Sequence, residues 1–193
     1  MESWEDWQKL YRFGTIVISP PDDVRKFVNA QREKYDPVSQ ACCEAHVSIT
    51  QPLDRRLDSD EWNHVSDLLR RHESFEVRFG PVKSFLPYPC IWYEIQPSEK
   101  ILNIRSALHQ TGFFNLAMKH PETFIPHMTI TEGLSGPPVD QGLLDQIAAE
   151  GTTGTFLCDS LTYIIPNQEF HFELASTLPL GEPTSRLAGI DGR

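Results

Sequence analysis

Two short segments of the chain carry the same reactive side chains at the same spacing. The segments "EAHVSIT" (44–50) and "IPHMTIT" (125–131) each contain a histidine, an apolar residue, a hydroxyl residue, isoleucine and threonine in that order. Residues two apart on a β-strand point to the same face of a sheet. Each segment is therefore predicted to present an imidazole beside a hydroxyl, while the apolar residue between them points into a core.

The side chains concerned are His46 with Ser48 and His127 with Thr129. Two imidazoles that face one cleft suit general acid–base catalysis, because the histidine pKa lies near working pH. A neutral imidazole can accept a proton from an attacking water or sugar hydroxyl, and a protonated one can protonate the departing oxygen. The hydroxyls can donate hydrogen bonds to non-bridging phosphate oxygens. Such a set could open a cyclic phosphodiester without a metal ion, with either histidine as the acid.

The two motifs lie at equivalent positions of an internal repeat. A strand-like run that ends at Pro20 leads through a helix to the first motif, and a similar run that ends at Pro97 leads to the second. An amphipathic helix follows each motif, and the next strand-like run begins 29 residues after the histidine in both copies, at Phe75 and Phe156. This shared register favours a common site over a chance match.

The repeat predicts two strand–helix–strand–helix–strand units, at about 13–86 and 90–166. We expect an α+β fold with two lobes, in which antiparallel-dominated sheets with helices outside flank a central cleft. Residues 1–176 are expected to form a single domain. The segment 177–193 is rich in Pro, Gly and small polar residues, so a flexible tail is expected there.

The pair His46-Val-Ser48-Ile and His127-Met-Thr129-Ile resembles the two-histidine (2H) phosphoesterase superfamily. Within it, the chain looks most like the bacterial 2′-5′ RNA ligase and cyclic nucleotide phosphodiesterase branch, over roughly residues 13–176. The resemblance implies a bilobal enzyme that opens 2′,3′-cyclic phosphates of nucleotides or RNA ends. It also implies that His46 and His127 are the acid–base pair and that Ser48 and Thr129 bind the substrate phosphate. Ser48 stands where many relatives have threonine, and it keeps the hydroxyl.

Three functional hypotheses follow. The first is a metal-independent phosphodiesterase that acts on 2′,3′-cyclic phosphates of nucleotides or RNA ends. The second is a 2′-5′ RNA end-joining ligase, which would run the same chemistry in reverse with the same residues. The third is a non-catalytic module that binds a nucleotide or an RNA end.

The composition narrows the choice of partners. A net charge of −10 argues against binding along a nucleic acid duplex, which needs a basic surface, but permits a small anionic substrate in a cleft. No P-loop, GxGxxG or HExxH motif occurs, so no cofactor and no metal ion are expected. The four cysteines have no zinc-like spacing, and neither a signal peptide nor a membrane span is indicated. We therefore expect a cytoplasmic monomer.

Other side chains could belong either to the cleft or to ordinary structure. Four aromatic residues flank the start of the second unit and could stack a nucleobase or pack a core: Phe85, Tyr88, Trp92 and Tyr93. Arg78 and Lys83 could make the cleft positive or lie on solvated surface. His171 could line the cleft or lie on the surface, and Thr50 and Thr131 are expected to be strand residues at the cleft margin.

Overall fold

The computed structural model describes residues 4–117 and 124–182. The strands are β1 (Thr15–Ile18), β2 (Val47–Ser48), β3 (Phe75–Ser84), β4 (Ile91–Gln96), β5 (His127–Thr131), β6 (Gly154–Cys158), β7 (Ser160–Pro166) and β8 (Phe172–Pro179). The helices are α1 (Asp6–Lys9), α2 (Asp22–Tyr35), α3 (Pro37–Cys42), α4 (Ser59–Leu69), α5 (Ser98–His109) and α6 (Gln141–Glu150).

The strands form one antiparallel sheet in the order β6-β3-β4-β5-β2-β1-β7-β8. The α+β class predicted from the sequence is confirmed, and both predicted units appear in chain order, as β1-α2-β2-α4-β3 and β4-α5-β5-α6-β6. The two motif strands, β2 and β5, are neighbours at the centre. The two halves of the molecule are therefore halves of a single sheet.

The two units exchange strands. β3 belongs to the first unit but pairs with β4 and β6 of the second, while β7 and β8 complete the half that contains β1 and β2. One half is thus β6-β3-β4-β5 and the other is β2-β1-β7-β8. Each half of the sheet contains strands from distant parts of the sequence.

The sheet must curl strongly, because β6 and β7 are joined through the single residue Asp159 although they are six strand positions apart. Six spacings in a flat sheet would separate them by roughly 29 Å, whereas two residue steps span at most about 7 Å. The chain that follows β8 also returns to the start of β3, where Gly181 N donates to His72 O at 2.7 Å. The strand-like run that the sequence indicates around Phe156 is thus two strands, β6 and β7, divided at Asp159.

The hydrophobic core lies between one face of the sheet and the helices. Each of the four longest helices buries an aliphatic side chain completely against it: Val28 of α2, Val65 of α4, Ile101 of α5 and Ile147 of α6. Capping residues fix where helices start. Asp58 and Glu61 form a capping box at α4, which satisfies backbone N–H groups that a helix start leaves unpaired. The helices α2, α4, α5 and α6 therefore cover the core-facing side of the sheet.

The last strand continues past residue 176, into the segment expected to be a flexible tail. β8 continues to Pro179, and the side chains of Leu178 and Leu180 are buried. Residues 177–182 are thus part of the fold, because these leucines join the core. The remainder of the expected tail, 183–193, lies outside the described residues.

Candidate active site

β2 and β5 bring the two motifs together. They pair antiparallel with Val47 opposite Met128, so His46 lies opposite Thr129 and Ser48 lies opposite His127. Val47 and Met128 are fully buried, while the histidines and hydroxyl residues are half-buried on the other side. The predicted alternation is confirmed. We call the sheet surface that carries these four side chains the motif face; its two histidines are diagonal neighbours, with Cα atoms roughly 7–8 Å apart.

Each imidazole is oriented by a backbone carbonyl two residues earlier in the chain. His46 Nδ1 lies 2.7 Å from Glu44 O, and His127 Nδ1 lies 2.7 Å from Ile125 O. A carbonyl oxygen can only accept, so in both rings Nδ1 carries the hydrogen and donates it. In the neutral form Nε2 is left with its lone pair. Both rings thus present the same nitrogen for proton transfer.

Burial lowers the pKa of both histidines. For His46 the hydrogen bond to Glu44 O opposes this shift, and the nearby positive charge of Arg32 lowers the pKa further. For His127 the bond to Ile125 O opposes the effect of burial, and the proximity of His46 lowers the pKa further. Both imidazoles are therefore biased towards the neutral form near pH 7.

A buried arginine links the two motif strands. Arg32, on α2, is 3% exposed; its guanidinium donates to Thr129 O, Ser39 O and Cys43 O, each at 2.9 Å. Thr129 is in the second motif and Cys43 lies just before His46. The rigid, multidentate guanidinium therefore fixes the two motifs relative to each other.

Asp36 fixes the segment that follows the second motif. Its side chain is fully buried. Its oxygens accept hydrogen bonds from Thr131 Oγ1, Glu132 N, Leu134 N, Ser135 Oγ and Ser39 N, at 2.8–3.3 Å. Asp36 thus connects the start of α3 to the turn after β5.

Aromatic side chains flank the second motif. Trp92 lies opposite Thr129 in the β4–β5 pair, and its ring stacks on Phe85 with centroids 4.7 Å apart. The ring of His127 lies 5.3 Å from Phe85 and 5.5 Å from Trp92. Tyr93 points the other way, into the helix-covered core. Of the four aromatic residues that could stack a base or pack a core, Phe85 and Trp92 lie beside the second motif and Tyr93 lies in the core. Tyr88 is 63% exposed on the β3–β4 loop.

Charged residues lie beyond the aromatics on the same face. Glu94 is the cross-strand partner of His127, and Lys83 forms an ion pair with Glu94 at 2.8 Å. This bond lowers the pKa of Glu94. Arg78 is exposed and pairs in register with Gln96, which shares a face with Glu94. Arg78 and Lys83 are thus both on the motif face, and the positive charge of Lys83 is paired with the carboxylate of Glu94.

A cavity adjoins the first motif on the opposite side. Its walls combine the His46 segment with apolar side chains of the outer strands: Val17, Ile164, Phe172 and Leu174. Arg25 and Glu44 also line it and form an ion pair at 3.3 Å. The two motifs therefore lie between the Phe85–Trp92 aromatic pair and a cavity whose lining mixes apolar and polar side chains.

The remaining candidates have structural positions. Thr50 is buried and its hydroxyl accepts from Ile16 N at 3.1 Å. Thr131 is buried against Asp36, and His171 is exposed on the β7–β8 turn. The prediction that the two threonines lie at the cleft margin is wrong, because both are enclosed by hydrogen-bonded backbone.

Arg32 and Asp36 were not among the residues predicted for the site. A usable signal was present for Arg32. It follows Val24 and Val28 at steps of four, so it falls on the buried stripe of α2. A charged residue in such a stripe has to be paired by other polar groups. Asp36 gave only the weaker signal of an acidic residue before the proline at the start of α3.

Within the described ranges, no group of three or more His, Cys, Asp or Glu side chains is arranged to hold a metal ion. The helices in the same ranges include none with the length and apolarity to cross a membrane.

Known proteins share both the sequence family and the fold. A model of the 2′-5′ RNA ligase superfamily matches residues 20–168. A Bacillus thuringiensis (strain Al Hakam) protein named "Putative phosphoesterase" is 28% identical over 124 residues, which cover 62% of this chain and 69% of that protein.

Two crystal structures have a similar fold. That of E. coli LigT complexed with 3′-AMP has a TM-score of 0.57 at 16% identity, and covers 88% of this chain and 98% of the other. That of TT0787 of Thermus thermophilus has a TM-score of 0.56 at 13% identity, with the same coverage. At these identities the likeness is one of fold. Together with the family match across both motifs, it shows that the chain belongs to the 2′-5′ RNA ligase superfamily, as the pair of histidine motifs predicted.

Proposed function

We propose that the protein is a metal-independent phosphodiesterase that opens 2′,3′-cyclic phosphates of nucleotides or RNA ends. The observation that carries this proposal is the pairing of Val47 with Met128, which puts both histidine–hydroxyl motifs side by side on one face. The family match and the phosphoesterase name of a relative support the same class of reaction.

The geometry supports an in-line displacement between the two imidazoles. A phosphate placed between them would receive hydrogen bonds from Ser48 and Thr129, which lie diagonally across the two strands. One Nε2 accepts the proton of the attacking water, and the other gives its proton to the ribose oxygen that leaves. Because each Nδ1–H is held by a carbonyl, neither ring has to rotate between the two roles.

The first experiment is hydrolysis of 2′,3′-cyclic AMP, CMP, GMP and UMP with EDTA present, followed by phosphorus NMR. Formation of a 2′- or 3′-monophosphate is expected for at least one substrate and also identifies which bond breaks. Absence of any monophosphate product would contradict the proposed activity on free nucleotides, and a short RNA with a 2′,3′-cyclic end is then the remaining substrate to assay.

His46→Ala and His127→Ala are each expected to lower kcat by about 10²–10⁴-fold, because each removes a proton-transfer group. The control is His64→Ala, since His64 is an exposed histidine on α4. Circular dichroism and thermal melting would establish that all three variants fold. Full activity in either motif variant would refute the two-histidine mechanism.

A further inference from the structure

The pair Phe85 and Trp92 is built unlike a core contact. Trp92 is 4% exposed but does not join the helix-side core; it is covered from the motif face by Phe85 and His127. Its indole Nε1 is buried and has no hydrogen-bond partner among the described residues. Leaving such a donor unpaired costs about 1–3 kcal/mol, so hydrogen bonding within the described residues does not account for the position of Trp92.

The ring of Phe85 is the accessible part of this pair. It is half-buried, with its ring stacked on Trp92 and perpendicular to the ring of His127, so part of the Phe85 side chain stays accessible beside the motif. Tyr88, at the tip of the same loop, is 63% exposed. An aromatic surface of this kind, next to a site for a phosphate, is suited to stacking of a nucleobase.

We propose that the Phe85–Trp92 pair is the nucleobase subsite. This inference rests on the proposed function and specifies that the substrate is a nucleoside cyclic phosphate rather than the cyclic phosphate of a simple sugar. The cross-strand pairing Trp92–Thr129 puts this subsite directly beside the hydroxyl assigned to the phosphate. Among the described residues, the opposite flank, the cavity by His46, has no stacked aromatic pair; Phe172 is its one aromatic lining residue, and the Arg25–Glu44 ion pair also lines it.

Placing the base on the His127 side also assigns the two proton transfers. Both bridging oxygens of a 2′,3′-cyclic phosphate belong to the ribose, and the attacking water approaches from the side opposite the bond that breaks. The water oxygen bonds to phosphorus and its proton passes to His46 Nε2. The bond from phosphorus to the ribose oxygen breaks, and that oxygen receives the proton of His127 Nε2.

The test compares adenosine 2′,3′-cyclic phosphate with a base-free methyl riboside 2,3-cyclic phosphate. Phe85→Leu is expected to lower kcat/KM about tenfold for the adenosine substrate, mainly through KM, and to change the base-free substrate by less than about twofold. Phe27→Leu, the same change at an exposed phenylalanine of α2, is the control. An equal fall for both substrates, or no fall, would overturn the proposal.

A binding measurement separates this proposal from the proposed activity. Affinities for adenosine 3′-monophosphate and for inorganic phosphate are measured by titration calorimetry on the wild type and Phe85→Leu. A tenfold loss of affinity for adenosine 3′-monophosphate in Phe85→Leu, with unchanged affinity for inorganic phosphate, supports the subsite even if no substrate is hydrolysed. Unchanged nucleotide affinity overturns it even if hydrolysis is fast.

The assignment of the acid has its own test. An adenosine cyclic phosphate analogue with sulfur at the bridging position that breaks expels a thiolate, which needs little protonation. Relative to the wild type, the loss of activity in His127→Ala is expected to be at least tenfold smaller on this analogue than on the oxygen substrate. The loss in His46→Ala is expected to be the same on both substrates. The reverse pattern would overturn the assignment.

Discussion

At the scale of single residues, the site depends on how each imidazole is held. Both histidines donate Nδ1–H to a main-chain carbonyl of their own segment, so no carboxylate is required to set the tautomer. Cys43 Sγ lies 3.3 Å from the same nitrogen of His46, and burial raises the pKa of its thiol to about 12. This sulfur therefore remains a neutral neighbour, and the pKa of His46 is set mainly by burial, by the hydrogen bond to Glu44 O and by Arg32.

The lowered histidine pKa values predict the pH dependence of activity. The reactive form has one neutral and one protonated imidazole, and burial shifts both pKa values below the usual histidine range. The protonated partner is therefore lost as pH rises, and kcat/KM is expected to peak below pH 7 and fall towards pH 8. The bound phosphate stabilises an imidazolium, so the kcat profile should lie at higher pH than the kcat/KM profile. A kcat/KM maximum above pH 8 would contradict this.

The motif positions could be predicted from the sequence because a strand has a two-residue period and the repeat fixes the register. Arg32, Asp36 and Glu94 could not be placed in the same way. Their roles depend on which strands are neighbours: Glu94 meets His127 only because β4 pairs with β5. The four residues proposed for catalysis and phosphate binding remain a prediction until variants are assayed.

At the scale of elements, the α2–α3 junction supports the motif strands. Arg32 and Asp36 occur one turn apart on this junction and bond to β5 and to the segments next to both motifs. Both are buried, and their hydrogen bonds replace most of those lost to water; Arg32 Nε has no partner among the described residues. The junction positions the reactive strands from behind, on the helix-covered side of the sheet.

Asp36→Ala is expected to destabilise the protein by about 3–5 kcal/mol, because it leaves several buried donors unpaired and removes one of the carboxylates near the buried Arg32. Urea unfolding gives the free energy of unfolding. Asp22→Ala is the matched control; its exposed ion pair with Arg25 should contribute less than about 1 kcal/mol. Equal stability losses in the two variants would show that the Asp36 network does not stabilise the fold.

The division of 155–165 into β6 and β7 could not be predicted from the local sequence. The run "TFLCDSLTYII" contains no glycine or proline, and its apolar residues suit a single strand. What separates the two strands is their partners, since β6 pairs with β3 and β7 pairs with β1 and β8. Only the curl of the whole sheet brings these partners to either side of Asp159.

At the scale of the whole molecule, the exchange of β3 makes the two halves interdependent. Residues 13–86 contain β1 and β2 without β7 and β8, and they contain β3 without its partners. Neither predicted unit therefore contains a complete half of the sheet. The lobes expected from the repeat exist as regions of one sheet that are built from both units.

Fragments cut in the exposed β3–β4 loop, 1–87 and 88–193, are each expected to be unfolded alone and to fold when mixed. The reason is that β3, in the first fragment, pairs with β4 and β6 of the second, while β7 and β8, in the second fragment, complete the half of the sheet that contains β1 and β2. Circular dichroism of the separate and mixed fragments tests this, and the uncut chain should unfold in a single transition. Native-like structure in either isolated fragment would refute the interdependence.

The diagonal register of the motifs has a consequence for the ancestry of the fold. With Val47 opposite Met128, a twofold axis between these two residues would exchange His46 with His127 and Ser48 with Thr129. This is the symmetry of a homodimer in which one short strand meets its own copy. A single half-length gene product, paired with itself and exchanging β3, would already have assembled two histidines and two hydroxyls around one phosphate. Fusion of two such genes would allow each copy to change separately, and the surroundings of the two histidines do differ: His127 contacts Phe85 and Trp92, whereas His46 contacts Cys43.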